Sequence, residues 1–412
     1  MKTLSLAIIA CLAITSSFSE AAAPFYTNGA NTRAVPNSYI VVLKNNTARD
    51  TFQPKFNNMV KHILKSNGPR LTKINRHYEF IPAFTADLDQ VALKDILNMP
   101  EVDYVEQNVR FRAFDTQTSP PSWGLSRVSG SKAVKNLTSP FPPYNYPKSA
   151  GENVTVYVLD SGIHFDHPDF EGRATHGKNF VTNSTVDLDQ DGHGTHVAAT
   201  IGGKRFGVAK KVKLVSVKVL DEHGEAYASE IIEGMEWVLK QAKGKRAIVN
   251  MSLGGSRTKT VDNLAYKIYS AGIPIIVAAG NEYTGHPACE VSPAGAKGVF
   301  TVSATTVKDR IAEFSSLGNC VKMFAPGEMI KSASFLWDKK SQTFKFGSTF
   351  KNGTSMATPH AAGVAALYMS EDKNLKTPKQ IYAKLTSTAT KGAIKGDFQG
   401  APDLLLSYKG AK

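Results

Sequence analysis

The sequence predicts an α/β fold of three layers, in which a mainly parallel sheet lies between helices, preceded by a small α+β domain. Continuously apolar strands alternate with helical segments from Val154 onward, which is typical of a parallel sheet buried on both faces. From about residue 36 to 114 the order is strand, helix, two strands, helix and strand, as in a ferredoxin-like domain. A chain of 412 residues is long enough for both units.

The N-terminus has the pattern of a secretory signal. Lys2 precedes an apolar run from Leu4 to Ile14, and small residues follow. This run is too short to cross a bilayer, and no later run reaches the required length. We therefore expect residues 1–21 to be a signal peptide, the small domain to occupy 22–114 and the large domain 115–412. We expect a secreted, extracellular protein that is not held in a membrane, with a vacuole as the alternative destination.

The elements of the small domain follow in order. The segment "SYIVVLK" predicts a strand, and "FQPKFNNMVKHILKSNG" predicts a helix that ends at glycine. "YEFIPAFTADL" predicts a strand pair, "QVALKDILNMP" a second helix that ends at proline, and "VDYVEQ" a last strand. The following "DTQTSPPSWGL" is rich in Pro, Ser and Thr, which is typical of an exposed segment open to cleavage.

Five apolar segments predict the parallel strands of the large domain: "VTVYVLD", "KLVSVKVL", "AIVNMSLG", "IPIIVAAGN" and "VFTVSATT". Ligands and chemistry in such sheets lie beyond the carboxyl ends of the strands. Polar residues stand at these ends, since Asp160 closes the first segment and Asn281 the fourth. His193 and Ser355 each stand at the start of a helix of small residues, in "DGHGTHVAATIGG" and "NGTSMATPHAAGVAAL".

Each of these four residues has a structural explanation when taken alone. A carboxylate at a strand end is often a hydrogen-bond acceptor, an asparagine after glycine a turn residue, and a serine at a helix start an N-cap. The pair His193 and His196 suggests a metal site as an alternative. However, the glutamate of an H-E-x-x-H helix is missing, and no third ligand has suggestive spacing. Together, Asp160, His193, Asn281 and Ser355 supply the orienting carboxylate, base, oxyanion donor and nucleophile that acyl transfer requires.

The cysteine count predicts a disulfide, and the distribution of charge argues against a nucleic-acid-binding protein. Of three cysteines, Cys11 lies in the signal. In an oxidising compartment Cys289 and Cys320 are then expected to form a disulfide, with two buried thiols as the alternative. The formal charge is +14, but lysines and arginines are spread along the chain rather than clustered. A solvated surface explains this distribution, so we expect no nucleic-acid partner.

Several long motifs resemble the subtilisin-like serine proteases, the peptidase S8 family. They are "VLDSGI", "DGHGTHVAATI", "NMSLGG", "AAGNE" and "NGTSMATPHAAGVAAL", in that family's order of Asp, His and Ser. "WGLSRVSG", "GVAKKVKLVSVKVLDEHG" and "SPAGAKGVFTVSATT" bring the chain nearest the proteinase K group. The small domain, with "YIVVLK" and "VDYVEQ", resembles the family's inhibitory I9-type propeptide. The resemblance covers almost the whole chain after Phe114.

The resemblance implies a secreted serine endopeptidase made as a zymogen. It makes Ser355 the nucleophile, His193 the general base, Asp160 the residue that orients the imidazole, and His196 a packing residue. The Asn281 amide and the Ser355 backbone N–H would hold the oxyanion, which the start of a helix also favours. The implied substrate cleft is lined on one side by Gly224, Glu225 and Ala226, and on the other by Ser252, Leu253, Gly254, Gly255, Ala278, Ala279 and Gly280.

The resemblance also implies the substrates and the route of maturation. Protein and peptide substrates would be cut after aromatic or large aliphatic residues by a monomeric enzyme that needs no cofactor for its chemistry. The junction would lie between Phe114 and Asp115, with Phe114 in the S1 pocket and Phe111 in S4. The cut propeptide would then remain bound as an inhibitor.

The sequence departs from the family at two positions. Val197 stands where many relatives have a cysteine beside the second histidine of the motif. Lys322, in "CVKMFAPG", replaces an aspartate that helps to hold structural calcium in relatives. We therefore expect no metal at this position, and structural calcium elsewhere stays open. The spacing of Cys289 and Cys320 matches a disulfide of some relatives.

Two further expectations concern glycosylation and an alternative function. The sequons at Asn45, Asn136 and Asn183 are candidate glycosylation sites on loops. The alternative function is that of a catalytically inactive relative that acts as a binding or structural protein. Inactive relatives usually lose a catalytic residue, whereas all four candidate residues are present in this chain.

Overall fold

The computed structural model describes residues 22–27, 34–44, 54, 72–113, 116–117, 122–130, 132–134, 137, 141–182, 184–282 and 287–409. Several predictions lie outside the described residues. They are the signal peptide, most of the helix at 52–68, the junction residues Phe114 and Asp115, and the glycosylation sites Asn45, Asn136 and Asn183. Among the described helices, none is long and apolar enough to cross a membrane.

The small domain is a mainly antiparallel sheet with a helix on one face. Its elements are β1 (Phe25–Tyr26), β2 (Ala34–Leu43), β3 (Thr72–His77), β4 (Ala83–Leu88), α1 (Gln90–Leu97) and β5 (Val102–Ala113). Strand β2 lies between β4 and β5. Because side chains alternate along a strand, Tyr39 and Val41 pack with α1, whereas Ile40 and Val42 face the large domain.

One local prediction for the small domain is wrong. The segment "YEFIPAFTADL" holds only β4, because β3 ends at His77, just before it. The residues between the two strands form a turn that includes Pro82. The backbone N–H groups of Glu79 and Phe80 in this turn donate to the Glu236 carboxylate of the large domain, both at 2.7 Å. A contact distant in sequence therefore fixes this turn.

The large domain contains the remaining elements. They are β6 (Thr116–Gln117), α2 (Gly124–Ser129), β7 (Thr155–Asp160), β8 (Ala174–Asn179), α3 (His193–Gly202), β9 (Lys213–Lys218), β10 (Glu225–Tyr227), α4 (Ala228–Ala242), β11 (Ala247–Met251), β12 (Leu253–Ser256), α5 (Lys259–Ser270), β13 (Ile275–Ala278), β14 (Val291–Ser292), β15 (Phe300–Thr305), β16 (Val321–Pro326), β17 (Ile330–Asp338), β18 (Thr343–Asn352), α6 (Thr354–Glu371), α7 (Pro378–Thr388), β19 (Thr390–Lys391) and β20 (Leu404–Leu405). Short 3₁₀ helices span Pro168–Phe170 and Ala288–Glu290.

Within the described residues the central sheet has nine strands, in the order β19, β20, β16, β15, β13, β11, β7, β9, β8. Only β19 runs antiparallel to its neighbour. Along β7, Val156 and Val158 face a core shared with α3, α6 and α7, whereas Tyr157 and Leu159 face a core shared with α4 and α5. The predicted three-layer α/β fold is confirmed.

Helix α6 is buried on all sides from Thr354 to Met369. Small residues allow this, because they let the neighbouring elements approach the helix backbone. At Gly363, an added Cβ would lie 2.5 Å from the Cβ of Val208. The helix that carries Ser355 therefore runs through the core rather than along the surface.

Two smaller groups of strands lie at the carboxyl edge of the central sheet. Strands β10 and β12 both pair with β5, so the sheet of the small domain continues into the large domain. Strands β17, β18 and β6 form a separate sheet, in which β17 and β18 make a long hairpin.

Candidate active site

Four neighbouring elements bring the candidate residues to one edge of the sheet. Strand β7 ends at Asp160, and Asn281 follows β13. His193 is the first residue of α3, and Ser355 is the second residue of α6. Because the carboxyl ends of parallel strands share an edge, the sequence prediction that these residues gather there agrees with the geometry.

Asp160 and His193 form a fully buried pair. The His193 Nδ1 lies 2.7 Å from Asp160 Oδ1, and neither side chain is exposed. With Nδ1–H donating to the carboxylate, the ring presents Nε2 as its basic nitrogen. Asp160 Oδ1 also accepts the Ser161 backbone N–H at 2.8 Å. The carboxylate is thus held in place and fixes the tautomer of the imidazole.

The loop before α3 positions this histidine through a second buried carboxylate. Asp189 accepts the backbone N–H groups of Gly192 and Thr195, both at 2.8 Å, and the Ser161 hydroxyl at 2.8 Å. Asp191 accepts the His193 backbone N–H at 3.0 Å, and burial raises the pKa of Asp191. Neither Asp189 nor Asp191 belongs to the residues predicted from the sequence. Aspartates within four residues of a helix start are a usable capping signal.

Helix α3 approaches the end of β7 and the residues just after it more closely than a side chain would permit. A Cβ added at Gly194 would lie 2.1 Å from the Gly162 carbonyl oxygen and 3.1 Å from Asp160 Oδ1. Glycine at this position therefore allows the contact between His193 and Asp160.

Ser355 is held by a reciprocal pair of hydrogen bonds. Its Oγ donates to the Ser252 carbonyl oxygen at 2.9 Å, and the Ser252 Oγ donates to the Ser355 carbonyl oxygen at 2.9 Å. Gly353 precedes the helix with φ of 149°, a backbone conformation that favours glycine. The Ser355 N–H lies in the first turn of α6, where backbone N–H groups have no partner within the helix.

The amide of Asn281 is oriented by Thr354. Asn281 Oδ1 accepts the Thr354 backbone N–H at 2.9 Å and its hydroxyl at 3.0 Å. With the oxygen fixed in this way, the Nδ2 hydrogens are directed to other acceptors. A side-chain amide and a helix N-terminus thus converge beside Ser355, as an oxyanion site requires.

Two strands of the large domain flank β5, the last strand of the small domain. Leu253 and Gly254 of β12 pair with Ala113 and Arg112. On the other side, Glu225 and Ala226 of β10 pair with Arg112 and Phe111. The backbone just before the predicted junction therefore lies as an added antiparallel strand between two of the predicted cleft segments.

The other predicted cleft residues contact different partners. Gly224 precedes β10 with φ of 71°, and Gly255 pairs with Ser292 of β14. Ala279 donates its N–H to the Val302 carbonyl, and Gly280 donates to the Thr354 hydroxyl. Within the described residues, β5 pairs with none of these four residues and not with Ala278.

Carboxylates on both partners hold the small domain on α4 and α5. Glu106 of β5 accepts the backbone N–H groups of Lys259 and Thr260, at 2.8 and 2.9 Å, at the start of α5. Burial raises the pKa of Glu106 to about 7. In return, Glu236 of α4 accepts two backbone N–H groups of the small domain.

His196 and the pair Cys289 and Cys320 have partners other than the four candidate residues. His196 is buried with Nε2 2.9 Å from the Ile330 carbonyl oxygen, and burial lowers its pKa.

The described residues contain no group of three or more His, Cys, Asp or Glu side chains that could hold a metal ion. Lys322 is exposed on β16. The expected disulfide between Cys289 and Cys320 is present, with Cα atoms 5.4 Å apart.

Two family models match this chain. The model of the subtilase family matches residues 151–402, and that of the peptidase inhibitor I9 matches residues 38–113. These ranges correspond to the central part of the large domain and to the small domain.

Curated proteins and a solved structure are similar over long stretches. A cuticle-degrading serine protease of Arthrobotrys oligospora is 37% identical, covering 92% of this chain and 91% of its own length. Subtilisin-like protease 6 of Arthroderma gypseum is 38% identical, over 82% of this chain and 83% of its own. The crystal structure of a cold-adapted subtilisin-like serine proteinase has 39% identity and a TM-score of 0.62, covering 71% of this chain and all of that one.

Proposed function

Because the chain belongs to the subtilase family and is a subtilisin-like serine protease with an I9 propeptide, we propose that Asp160, His193 and Ser355 are its catalytic residues. The observation that carries this assignment is the buried contact of 2.7 Å between His193 Nδ1 and Asp160 Oδ1, at the sheet edge where α6 begins. The relatives are proteases by name, and nothing in the site favours the catalytically inactive alternative.

The reaction is acyl transfer in two halves. Ser355 Oγ attacks the carbonyl carbon of the peptide bond, and its proton passes to His193 Nε2. Asp160 stabilises the imidazolium that forms, because its carboxylate accepts the Nδ1 hydrogen. The Asn281 amide and the Ser355 N–H stabilise the oxyanion. His193 then gives its proton to the leaving amine, and water releases the acyl group by the same steps in reverse.

The propeptide occupies the cleft as a substrate would. The support is the pairing of β5 with β10 and β12, because main-chain pairing holds a peptide largely independently of its sequence. Cleavage between Phe114 and Asp115 leaves Phe114 for S1 and Phe111 for S4, so substrates with aromatic or large aliphatic residues are preferred. The mature enzyme is a secreted, extracellular monomer, and the cut propeptide remains as its inhibitor.

The decisive test compares three full chains from about residue 24: wild type, Ser355→Ala and the control Ser387→Ala. Ser387 is exposed on α7, far along the chain from the site. Wild type and control are expected to yield a mature N-terminus at Asp115, to cleave an aromatic-P1 peptide and to be stopped by a serine-directed phosphonate. Ser355→Ala should do none of these. If all three chains process alike and none cleaves the peptide, the catalytic assignment is wrong.

The oxyanion assignment has its own test. In subtilisin itself, loss of one oxyanion donor lowers turnover by about 10²- to 10³-fold. We expect a loss of this size in Asn281→Ala, seen in kcat rather than KM. An unchanged kcat would exclude this role for Asn281.

The Lys322 position is proposed to bind no calcium. Its ammonium group stands where relatives have a carboxylate, and calcium prefers oxygen ligands. Melting temperatures of the wild type and of Lys322→Asp, each with calcium and with chelator, test this. If calcium raises the melting temperature through this site, and raises it equally in both proteins, the proposal that Lys322 excludes calcium is wrong.

A further inference from the structure

The strand after the predicted cleavage site is paired with a strand of the large domain, as is the strand before it. Residues Thr116 and Gln117 form β6, which pairs antiparallel with β18: Gln117 lies opposite Lys351 and Thr116 opposite Asn352. These are the second and third residues after the proposed bond. A substrate chain therefore leaves the catalytic residues along the edge of β18.

Strand β18 continues far beyond this pairing. From Phe350 back to Thr343 it spans about 24 Å at the usual rise of a strand. Its partner on one side is β17, through nine consecutive residue pairs. On the other side, β6 covers only the last two residues of β18, and no further described strand pairs with this edge. Unpaired edges of this kind bind extended chains.

The hairpin of β17 and β18 has a fixed position because one face packs on the body of the large domain. The rings of Phe335, Phe344 and Phe346 lie 4.8, 4.4 and 5.0 Å from the ring of His164. His164 is buried, and His167 Nε2 bonds to the Gly347 carbonyl oxygen at 3.0 Å. The open edge is therefore presented in an ordered conformation before any substrate arrives.

The far end of the hairpin is cationic. Lys339 and Lys340 lie at its tip, and Lys345 is exposed while bridging Asp338. Three lysines against one aspartate leave a net positive charge. If the register of β6 continues, the ninth residue after the cleaved bond lies opposite Lys345. Acidic side chains at that distance would meet this charge.

We propose that the edge of β18 from Phe350 to Thr343 is an extended primed-side subsite, which binds substrate residues from about the fourth to the eleventh after the cleaved bond as an added strand. Its occupant is the downstream segment of a polypeptide substrate, extended and acidic toward its far end. This inference rests on the proposed function and its junction at Phe114. It makes long, unfolded polypeptides better substrates than short peptides.

The test uses mature enzyme from the full chain and internally quenched peptides with the same non-primed residues. One peptide has three primed residues, and the others have twelve, with the added segment either acidic, basic or interrupted by prolines. We expect about a tenfold higher kcat/KM for the long acidic peptide than for the short one, mainly through KM. The proline-interrupted peptide should behave like the short one, because proline cannot complete a ladder.

Charge variants test the cationic end without disturbing the packed face. Lys339→Glu, Lys340→Glu and Lys345→Glu together should remove the preference for the acidic over the basic long peptide, while the short peptide is cleaved as before. The control combines Lys373→Glu, Lys376→Glu and Lys379→Glu, which are exposed elsewhere and change the net charge equally. This control should keep the preference.

The outcomes separate this inference from the catalytic assignment. If the short peptide is not cleaved at all, the proposed function fails. If it is cleaved but kcat/KM does not change with primed length or with prolines, the subsite is excluded. Analytical ultracentrifugation could instead show a dimer that dissociates when the three hairpin lysines are replaced by glutamate. The β18 edge would then bind a second copy of the chain, which would also overturn the proposal.

Discussion

A buried ion pair near the start of the large domain is expected to contribute strongly to its stability. Arg127 of α2 is fully buried, and its Nε and Nη2 donate to the two carboxylate oxygens of Asp309 at 2.8 and 3.2 Å. Its Nη1 donates to the Gly130 carbonyl at 2.8 Å. The change Asp309→Asn removes the counter-charge while keeping the shape of the side chain. It also suits φ of 54° at this position, which asparagine tolerates.

The expected loss follows from the burial of the guanidinium. Breaking one partner of a buried pair costs about 3–5 kcal/mol, because a charge is left without compensation. The amide of asparagine still accepts one hydrogen bond, so we expect about 3 kcal/mol. For a domain of this size each kcal/mol lowers the melting temperature by about 2–4 °C, which gives a decrease of about 6–12 °C.

Calorimetry of the Ser355→Ala full chain avoids self-digestion during the measurement. Asp397→Asn is the matched control, because this aspartate is exposed. Adding Arg127→Met to Asp309→Asn should recover most of the loss, since no buried charge then remains. A melting temperature within about 1 °C of the parent for Asp309→Asn would exclude a destabilising uncompensated charge at Arg127, because a shift that small lies below the effect of even 1 kcal/mol.

Three further predictions concern pH and the disulfide. The pKa of Glu106 is raised to about 7 in the bound propeptide. The contribution of Glu106 to propeptide binding is therefore fully present below about pH 4.5 and is lost as the pH rises through 7. The inhibition constant of added propeptide should rise between pH 5 and 8, and Glu106→Gln should flatten that rise; a parallel rise in both would contradict the assignment. Burial lowers the pKa of His360 to about 4, so the stability present above pH 6.5 should fall as the pH drops through 4, and His360→Gln should melt with a smaller decrease over this range. Replacing Cys289 and Cys320 by serine opens a loop spanning 31 residues of sequence separation and should cost about 3–4 kcal/mol in urea unfolding; an unchanged midpoint would show that the loop is held by other contacts.

The parts of the structure that local patterns encode were predictable from the sequence. The apolar segment "VTVYVLD" forms β7, and its last residue, Asp160, lies at the sheet edge in contact with His193. The small-residue run after Ser355 becomes α6, buried on all sides. In both cases composition and period determine the element and its burial.

The parts that depend on long-range pairing were not predictable. "VDYVEQ" predicts a strand of six residues, yet β5 continues to Ala113, because β10 and β12 supply its partners. The roles of Asp189 and Asp191 depend on a loop conformation that sequence spacing does not specify. The open edge of β18 follows from which strands pair, and alternation along a single strand contains no information on its neighbours.

The burial of α6 has a consequence for how the protein loses activity. This helix is enclosed between the central sheet and α3, so we expect its backbone amides to exchange with solvent only when the domain unfolds as a whole. In hydrogen–deuterium exchange, the amides from Thr358 to Met369 should therefore report the global free energy of unfolding. Ser355, the proposed nucleophile, is buried at the start of this helix. We therefore expect loss of catalysis on heating and loss of the folded state to occur as one cooperative event.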